Sequence, residues 1–400
     1  MNGSTQDGEI PKVEPRNYLT TDGPSLGAFK TLCSQTTPSD LYPLASNLTN
    51  NIPIYEGSTI DPSNHTLTTR LQNEWHHNLL SGPGVYIIRN FFPRTQHPLL
   101  HATNITYREI ITSEKAQTEK KGDHFAASSA NDRIWNSLGK HCHHSPQTFL
   151  QYYSNPLFPL VSESWLGPAY KLTAQVNIVH PSGAAQTAHR DYHLGFQTAD
   201  SVVHWPKATH AASALLTLQG AVAHSDMPVE SGPTRFLPFS QRFGEGYVAY
   251  RLPEFQRYFE ESYVALPLGL GDAVFFSPAV FHAAGANGTE GTERSANLLQ
   301  VSSAFGKAME SMDSLPLVER TWKGLREVFK KEGWSWEVEA FVKNVAEGYP
   351  FPTNLDRRPP APGGMAPESE QGLLRRGLEE GWETVKVLQE LTAMREASRA

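Results

Sequence analysis

Between residues 171 and 305 the chain reads as a series of short strands. The β-like runs 172–180, 213–223, 234–239, 262–268, 272–277 and 295–305 are parted by Gly, Pro and Ser. Short strands at regular spacing, with turn residues between them, favour a sandwich or barrel over a parallel α/β sheet. Just after the first run comes Gln186-Thr187-Ala188-His189-Arg190-Asp191-Tyr192-His193. Side chains two apart on an extended backbone share a face, so His189 and Asp191 converge. Another histidine, His282, ends the run that starts at Gly271-Asp272.

A histidine and a carboxylate on one face, joined by a distant histidine, form the two-His-one-carboxylate facial triad of non-heme Fe(II) oxygenases. Arg294 follows His282 by twelve residues (294 − 282). An arginine there is suited to a bidentate pair with a carboxylate cosubstrate. Each feature alone is weak. Among 16 histidines an H-x-D arises by chance as a surface hydrogen-bonded pair, and His282 alone reads as a core histidine. Their alignment on β-like runs is what points to a metal. His193 extends the pattern to H-x-D-x-H, which a zinc site could use; a turn after Asp191 would instead remove it to the surroundings of the site. His141-Cys142-His143-His144 reads as a solvated loop, because it lacks metal-ligand spacing and a distant partner.

Composition narrows the functional classes. Hydrophobic residues make 39% and charged residues 19%, as in a globular rather than a disordered chain. A formal net charge of −7 gives no electrostatic case for nucleic acid. Cys33 and Cys142 cannot make a disulfide framework, which suits a reducing compartment. Neither a secretory h-region nor an apolar run of membrane-spanning length is visible. The expectation is an intracellular, cytoplasmic protein that acts on a small molecule, with no nucleic-acid or membrane partner.

Three segments are expected. Residues 1–60 form an irregular N-terminal arm. Residues 61–310 form the β-rich domain with helical additions: a helix over 62–80 (Leu67, Leu71, Trp75, Leu79), a strand over 84–92 and a helix over 146–167. Residues 311–400 form a helical extension. Its first helix carries Leu317, Val318, Trp322, Leu325, Val328 and Phe329, and a short one follows at 335–346. Tyr349–Pro352 and Arg358–Gly364 break regular structure, and a last helix spans 368–396. Its apolar face needs the core or a second subunit, so a homodimer is one way to cover it.

Four stretches together carry a family resemblance. They are Gly84–Phe92, His189–His193, Glu230–Gln241, and Gly271-Asp272 through His282-Ala283-Ala284-Gly285 to Arg294. Over about 80–305 the chain resembles the phytanoyl-CoA dioxygenase (PhyH) family of Fe(II)/2-oxoglutarate oxygenases. The resemblance implies a mostly β fold with flanking helices, around a double-stranded β-helix (jelly-roll) core. It implies that His189, Asp191 and His282 bind Fe(II), that Arg294 holds the distal carboxylate of 2-oxoglutarate, and that O2 is the other cosubstrate. Gln186 or Thr187 would add a hydrogen bond, and Ser295 would assist beside Arg294. The implied reaction couples decarboxylation of 2-oxoglutarate to hydroxylation, or a related C–H oxidation, of a small organic molecule, plausibly in specialised metabolism. The carboxylate of Asp191 argues for oxygenation, since related halogenases carry a small residue there. The chain has Phe239-Ser240-Gln241 where the family usually has Gly-Ser-His, in a loop rather than at a ligand. Two other readings stay open: a zinc-dependent hydrolase using His189, Asp191 and His193, which leaves Arg294 without a role, and a non-catalytic jelly-roll binding protein.

Overall fold

A computed structural model describes residues 13–18, 23–117, 131–350, 354–360, 362 and 366–399. Ten strands organise it: β1 (Asn47–Thr49), β2 (Ile52–Glu56), β3 (Val85–Arg89), β4 (Asn131–Ile134), β5 (Lys171–Val179), β6 (Thr217–Ala223), β7 (Arg235–Leu237), β8 (Ala273–Phe276), β9 (Phe281–Ala283) and β10 (Arg294–Ser302). Eight of them make one large sheet in the order β1-β2-β3-β8-β6-β10-β5-β4. All its pairings are antiparallel except β2 with β3. A small sheet, β7 with β9, is extended by isolated bridges, His189 to His282 and Phe236 to Val264.

The two faces of the large sheet do different work. Strand alternation sends Ala221 and Ala223, Val274 and Phe276, Val85 and Ile87, and Ala296 inward. There they pack on Phe236, Leu266 and Leu268 of the small-sheet layer. The opposite face carries Leu172, Leu218, Val222, Phe275, Leu299 and Val301 into a larger core shared with the helices. That core takes in Leu317, Trp322, Phe341, Leu378, Trp382 and Leu391 from the C-terminal helices.

Several expectations are corrected. Helix, short 3-10 turns included, makes 46% of the described residues and strand 15%, so a mostly β fold is not confirmed. The reason is that helices cover one whole face of the sheet, while the β-like run 262–268 forms only isolated bridges. The first 60 residues are not wholly irregular: Leu26–Cys33 is a helix, and β2 pairs in parallel with β3 through Ile54 and Ile87. Phe29 anchors that helix among Phe243, Phe255 and Phe281, an apolar payload large enough to pin the arm. The helix expected over 146–167 is two, Pro146–Tyr153 and Leu157–Leu166, interrupted at Asn155-Pro156. Likewise 368–396 splits into Glu370–Glu379 and Thr384–Ala397 at Gly381, whose φ of +68° favours glycine. His141–His144 is the end of a helix, Ser137–His144, with His141 and Cys142 buried. Residues 1–12, 19–22 and Phe351 and Pro352 lie outside the described residues. Among the described residues no helix is long and apolar enough to cross a membrane.

Trp322 is the keystone between tail and sheet. It is 1% exposed, and its indole N–H donates to the Trp382 carbonyl at 2.9 Å. Trp322→Ala should lower unfolding stability by about 3–5 kcal/mol through the cavity and the lost donor. Urea unfolding measures it; a loss below about 1 kcal/mol would mean that the tail does not fold with the core.

Candidate metal centre

The small sheet builds the site. His189 and His282 face each other as a hydrogen-bonded antiparallel pair, exchanging N–H···O bonds of 3.0 and 3.1 Å. The Asp191 N–H then donates to the Pro278 carbonyl at 3.0 Å. Strand alternation turns Ala188 away, into a cluster with Phe29 and Phe281, and leaves His189 and Asp191 on the other face. There one ligand atom from each of His189, Asp191 and His282 lies within 4.8 Å of the others. His189 Nε2 is 3.7 Å from Asp191 Oδ1, and His282 Nε2 is 3.5 Å from Asp191 Oδ2.

The tautomers follow from the surroundings. His189 Nδ1 is 2.9 Å from the Thr187 carbonyl and His282 Nδ1 is 2.8 Å from the Val280 carbonyl. A carbonyl only accepts, so each Nδ1 carries a proton and each Nε2 is the ring nitrogen turned to the cluster. Burial pushes the His189 imidazole below its ordinary value, keeping it neutral as a ligand must be. Burial also opposes the charge on Asp191, but the two imidazoles and the Gln219 amide outweigh it and hold the carboxyl well below the carboxylate range. Two imidazoles and one carboxylate, gathered on one side, fit a divalent iron and leave its other side open.

The backbone breaks after Asp191. Tyr192 has φ +40°, in the left-handed region, which ends the strand alternation. His193 therefore leaves the face of His189 and Asp191. Its N–H donates to Ser213 Oγ at 2.7 Å, and its Nε2 is 3.1 Å from the Lys307 carbonyl. The structure does not bring His193 to the cluster, so the His189/Asp191/His193 zinc set is not assembled. Arg190 points the opposite way, donating to the Ser240 and Phe243 carbonyls and lining a separate cavity of about 270 Å³.

Arg294 starts β10 on the inward face, which it shares with Ala296, Leu298 and Gln300. It is 7% exposed and donates to the Ser231 and Gly285 carbonyls at 2.8 and 3.2 Å, just past His282. Burial lowers its guanidinium to about 10, and no carboxylate pairs with it among the described residues. A buried cation satisfied only by carbonyls is prepared for an anion. Thr187 shares the face of His189 and is exposed. Gln186 shares the face of Ala188, and its side-chain oxygen accepts from the Ala284 N–H at 3.2 Å. Ser295 falls on the helix-covered face with Leu299, opposite to Arg294, because neighbours on a strand alternate. Gln186 and Ser295 are thus turned away from the cluster.

Polar residues of the inward sheet face complete the site. Gln219 on β6 stands opposite Gln300 on β10. The Gln219 amide donates to Asp191 Oδ2 at 2.6 Å and to Gln300 Oε1 at 3.2 Å, and the Tyr192 hydroxyl donates to the same Gln300 oxygen. Asn177 and Gln175 on β5 lie on that face beside Ala296 and Leu298. Sequence reasoning missed all four. The signal was there: in Thr173-Ala174-Gln175-Val176-Asn177 polar residues alternate with apolar ones in a strand buried on both faces. Partners that orient a ligand are worth about 10–100-fold in metal affinity, so Gln219→Leu should weaken iron binding by that factor. Competition with a chelator measures it, and an unchanged affinity would show that Gln219 does not position Asp191.

The His–Asp–His cluster between two packed sheets is the ligand set of non-heme iron enzymes, with a buried arginine on the same inward face. The family model for phytanoyl-CoA dioxygenase (PhyH) matches residues 82–296, more than half of the chain, and the protein belongs to that family. Fe(II), with 2-oxoglutarate and O2 as cosubstrates, is the cofactor set of this family. Solved structures resemble it distantly. The alpha-ketoglutarate-dependent epimerase SnoN from nogalamycin biosynthesis is 19% identical, covering 61% of this chain and 84% of its own, with a TM-score of 0.38. The carbocyclase SnoK from the same biosynthesis is 17% identical, covering 62% and 86%, with a TM-score of 0.43. AviO1 from Streptomyces viridochromogenes Tue57 is 13% identical, covering 56% and 92%, with a TM-score of 0.38. Likenesses at this level say nothing of the reaction. A comparison with curated proteins finds no match.

Proposed function

We propose that the protein is an Fe(II)/2-oxoglutarate-dependent oxygenase that oxidises a C–H bond of a small organic molecule, by hydroxylation or a related outcome. One observation carries the reading: three ligand atoms within 4.8 Å, from two imidazoles and a carboxylate on one face. His189, Asp191 and His282 hold the iron, and Arg294 receives the distal carboxylate of 2-oxoglutarate. When bound, the iron and its cosubstrate supply the oxidising power. The chain's own residues set the geometry. The Thr187 and Val280 carbonyls fix the two imidazoles, Gln219 fixes Asp191, and the inward face of β5 and β10 positions cosubstrate and substrate. The two packed sheets are read as a jelly-roll core, residues 61–310 as the oxygenase domain, and residues 311–400 as its helical support. A place in specialised metabolism, with a small-molecule substrate in the cytoplasm, accords with this reading.

Anaerobic titration tests it. Adding Fe(II) and then 2-oxoglutarate should give a weak visible charge-transfer band only when both are present. Tight zinc binding with no such band would overturn the assignment.

A further inference from the structure

Residues 303–312 lie beyond the family-matched part of the chain and pack on the turn that follows Asp191. Three contacts tether them: His193 to the Lys307 carbonyl, the Tyr192 hydroxyl to Met309 Sδ at 3.0 Å, and Ser302 Oγ to the Lys307 carbonyl at 3.3 Å. Near the end of this segment stands Glu310. Its Oε1 accepts from the Asn136 N–H at 2.6 Å and from the Gln175 amide at 3.4 Å. Its Oε2 is buried and has no hydrogen-bond partner among the described residues.

Gln175 locates this carboxylate. It projects from the inward face of β5, opposite Leu298, the sheet face that also carries Gln300 and Arg294. From Gln300 the hydrogen bonds run through Gln219 to Asp191. Glu310 is therefore joined through Gln175 to the sheet face that carries Gln300 and Gln219, the partners of Asp191, and is held by a segment that the family match does not include. A covered carboxylate oxygen without a donor is costly, and a ligand that brings a donor removes the cost.

We propose that Glu310 is a specificity-determining residue: its Oε2 receives a hydrogen-bond donor of the substrate, a hydroxyl or an ammonium group, and orients the molecule against the metal centre. The proposal rests on the metal-centre reading given above. It means that the substrate presents a donor, not a carboxylate, at this end.

The test uses cyclohexylamine, cyclohexanol and cyclohexanecarboxylate as probes on the full chain loaded with Mn(II) and 2-oxoglutarate. Paramagnetic broadening of probe resonances reports binding near the metal. Wild type should bind the amine or the alcohol and disfavour the carboxylate. Preference for the amine assigns an ammonium, and equal binding of amine and alcohol assigns a hydroxyl. Glu310→Gln keeps Oε1 for Asn136 and Gln175 but turns the orphan oxygen into a donor. It should weaken the donor-bearing probes about tenfold or more and relieve the bias against the carboxylate. Equal binding of all three probes, no binding of either donor, or an unchanged preference in Glu310→Gln would overturn the proposal; a purely structural Glu310 gives the last result. Saturation transfer on the metal-free chain reads the same preference independently. A missing Fe(II)/2-oxoglutarate band would thus sink the metal reading while leaving Glu310 decided on its own.

Discussion

Replacing Asp191 with alanine is expected to cost the chain its iron and all turnover. The carboxylate supplies the only negative charge in the cluster and stands within 3.5 to 3.7 Å of both imidazole nitrogens. Without it, two neutral histidines remain, and a hard divalent ion has lost its oxygen ligand. Removing a partner that merely orients a ligand costs about 10–100-fold in affinity, so losing the ligand itself should exceed about a hundredfold. Part of the effect falls on stability. The Gln219 amide loses one of its two acceptors, a cost of at most about 1–3 kcal/mol. Asp191→Asn separates the two terms, since it keeps the shape and an acceptor while removing the charge. Iron affinity by chelator competition should fall steeply in both variants, with the melting temperature nearer to wild type in Asp191→Asn. Undiminished iron binding and turnover in Asp191→Ala would place the metal elsewhere. Ligand binding that survives without any iron dependence would favour the non-catalytic jelly roll.

The clustering of the candidate ligands is legible in the sequence because local geometry alone brings His189 and Asp191 together. Two residues apart on an extended backbone suffice, and the His282 run ends in the adjacent strand. Arg294 was legible for a similar reason: it opens a strand whose inward face is continuous with the site. Gln175, Asn177, Gln219 and Gln300 were harder, because each is one polar residue in an apolar strand. Their meaning depends on which strands become neighbours. Gln219 and Gln300 are 81 residues apart in the chain and directly opposite in the sheet. The exchange of helix for strand has the same root. A run such as 262–268 alternates well enough to be a strand, but only Val264 and Leu268 find partners. The strand in the arm is hidden in the sequence because Ile52-Pro53-Ile54-Tyr55 is short and flanked by turn residues, and only its pairing with β1 and β3 reveals it. His193 shows the reverse. The pattern H-x-D-x-H suggests three ligands, and a single left-handed residue, Tyr192, removes the third. Strain of that kind, kept beside a cluster of ligands, is a mark of a functional turn.

Arg294 offers the second decisive substitution. Its guanidinium is buried and, among the described residues, donates only to the Ser231 and Gly285 carbonyls. A 2-oxoglutarate carboxylate would supply the missing charge through two charge-assisted hydrogen bonds, each worth about 1.5–3 kcal/mol. Arg294→Met keeps most of the apolar stem and removes the donors. The dissociation constant for 2-oxoglutarate, read from the anaerobic charge-transfer band, should rise about a hundredfold or more, since about 1.4 kcal/mol is a factor of ten. Iron affinity should stay near wild type, because Arg294 is not among the three clustered ligands. A thermal readout gives the same answer without turnover. At a ligand concentration of about 100 times the wild-type dissociation constant, binding stabilises the folded state by about 2.7 kcal/mol. Arg294→Met should lose nearly all of that gain, and Arg294→Lys should keep part of it, as a point charge without the planar fork. An undiminished 2-oxoglutarate-dependent shift in Arg294→Met would mean that the cosubstrate carboxylate binds another residue, with Arg294 serving only to tie the Ser231 and Gly285 loops together.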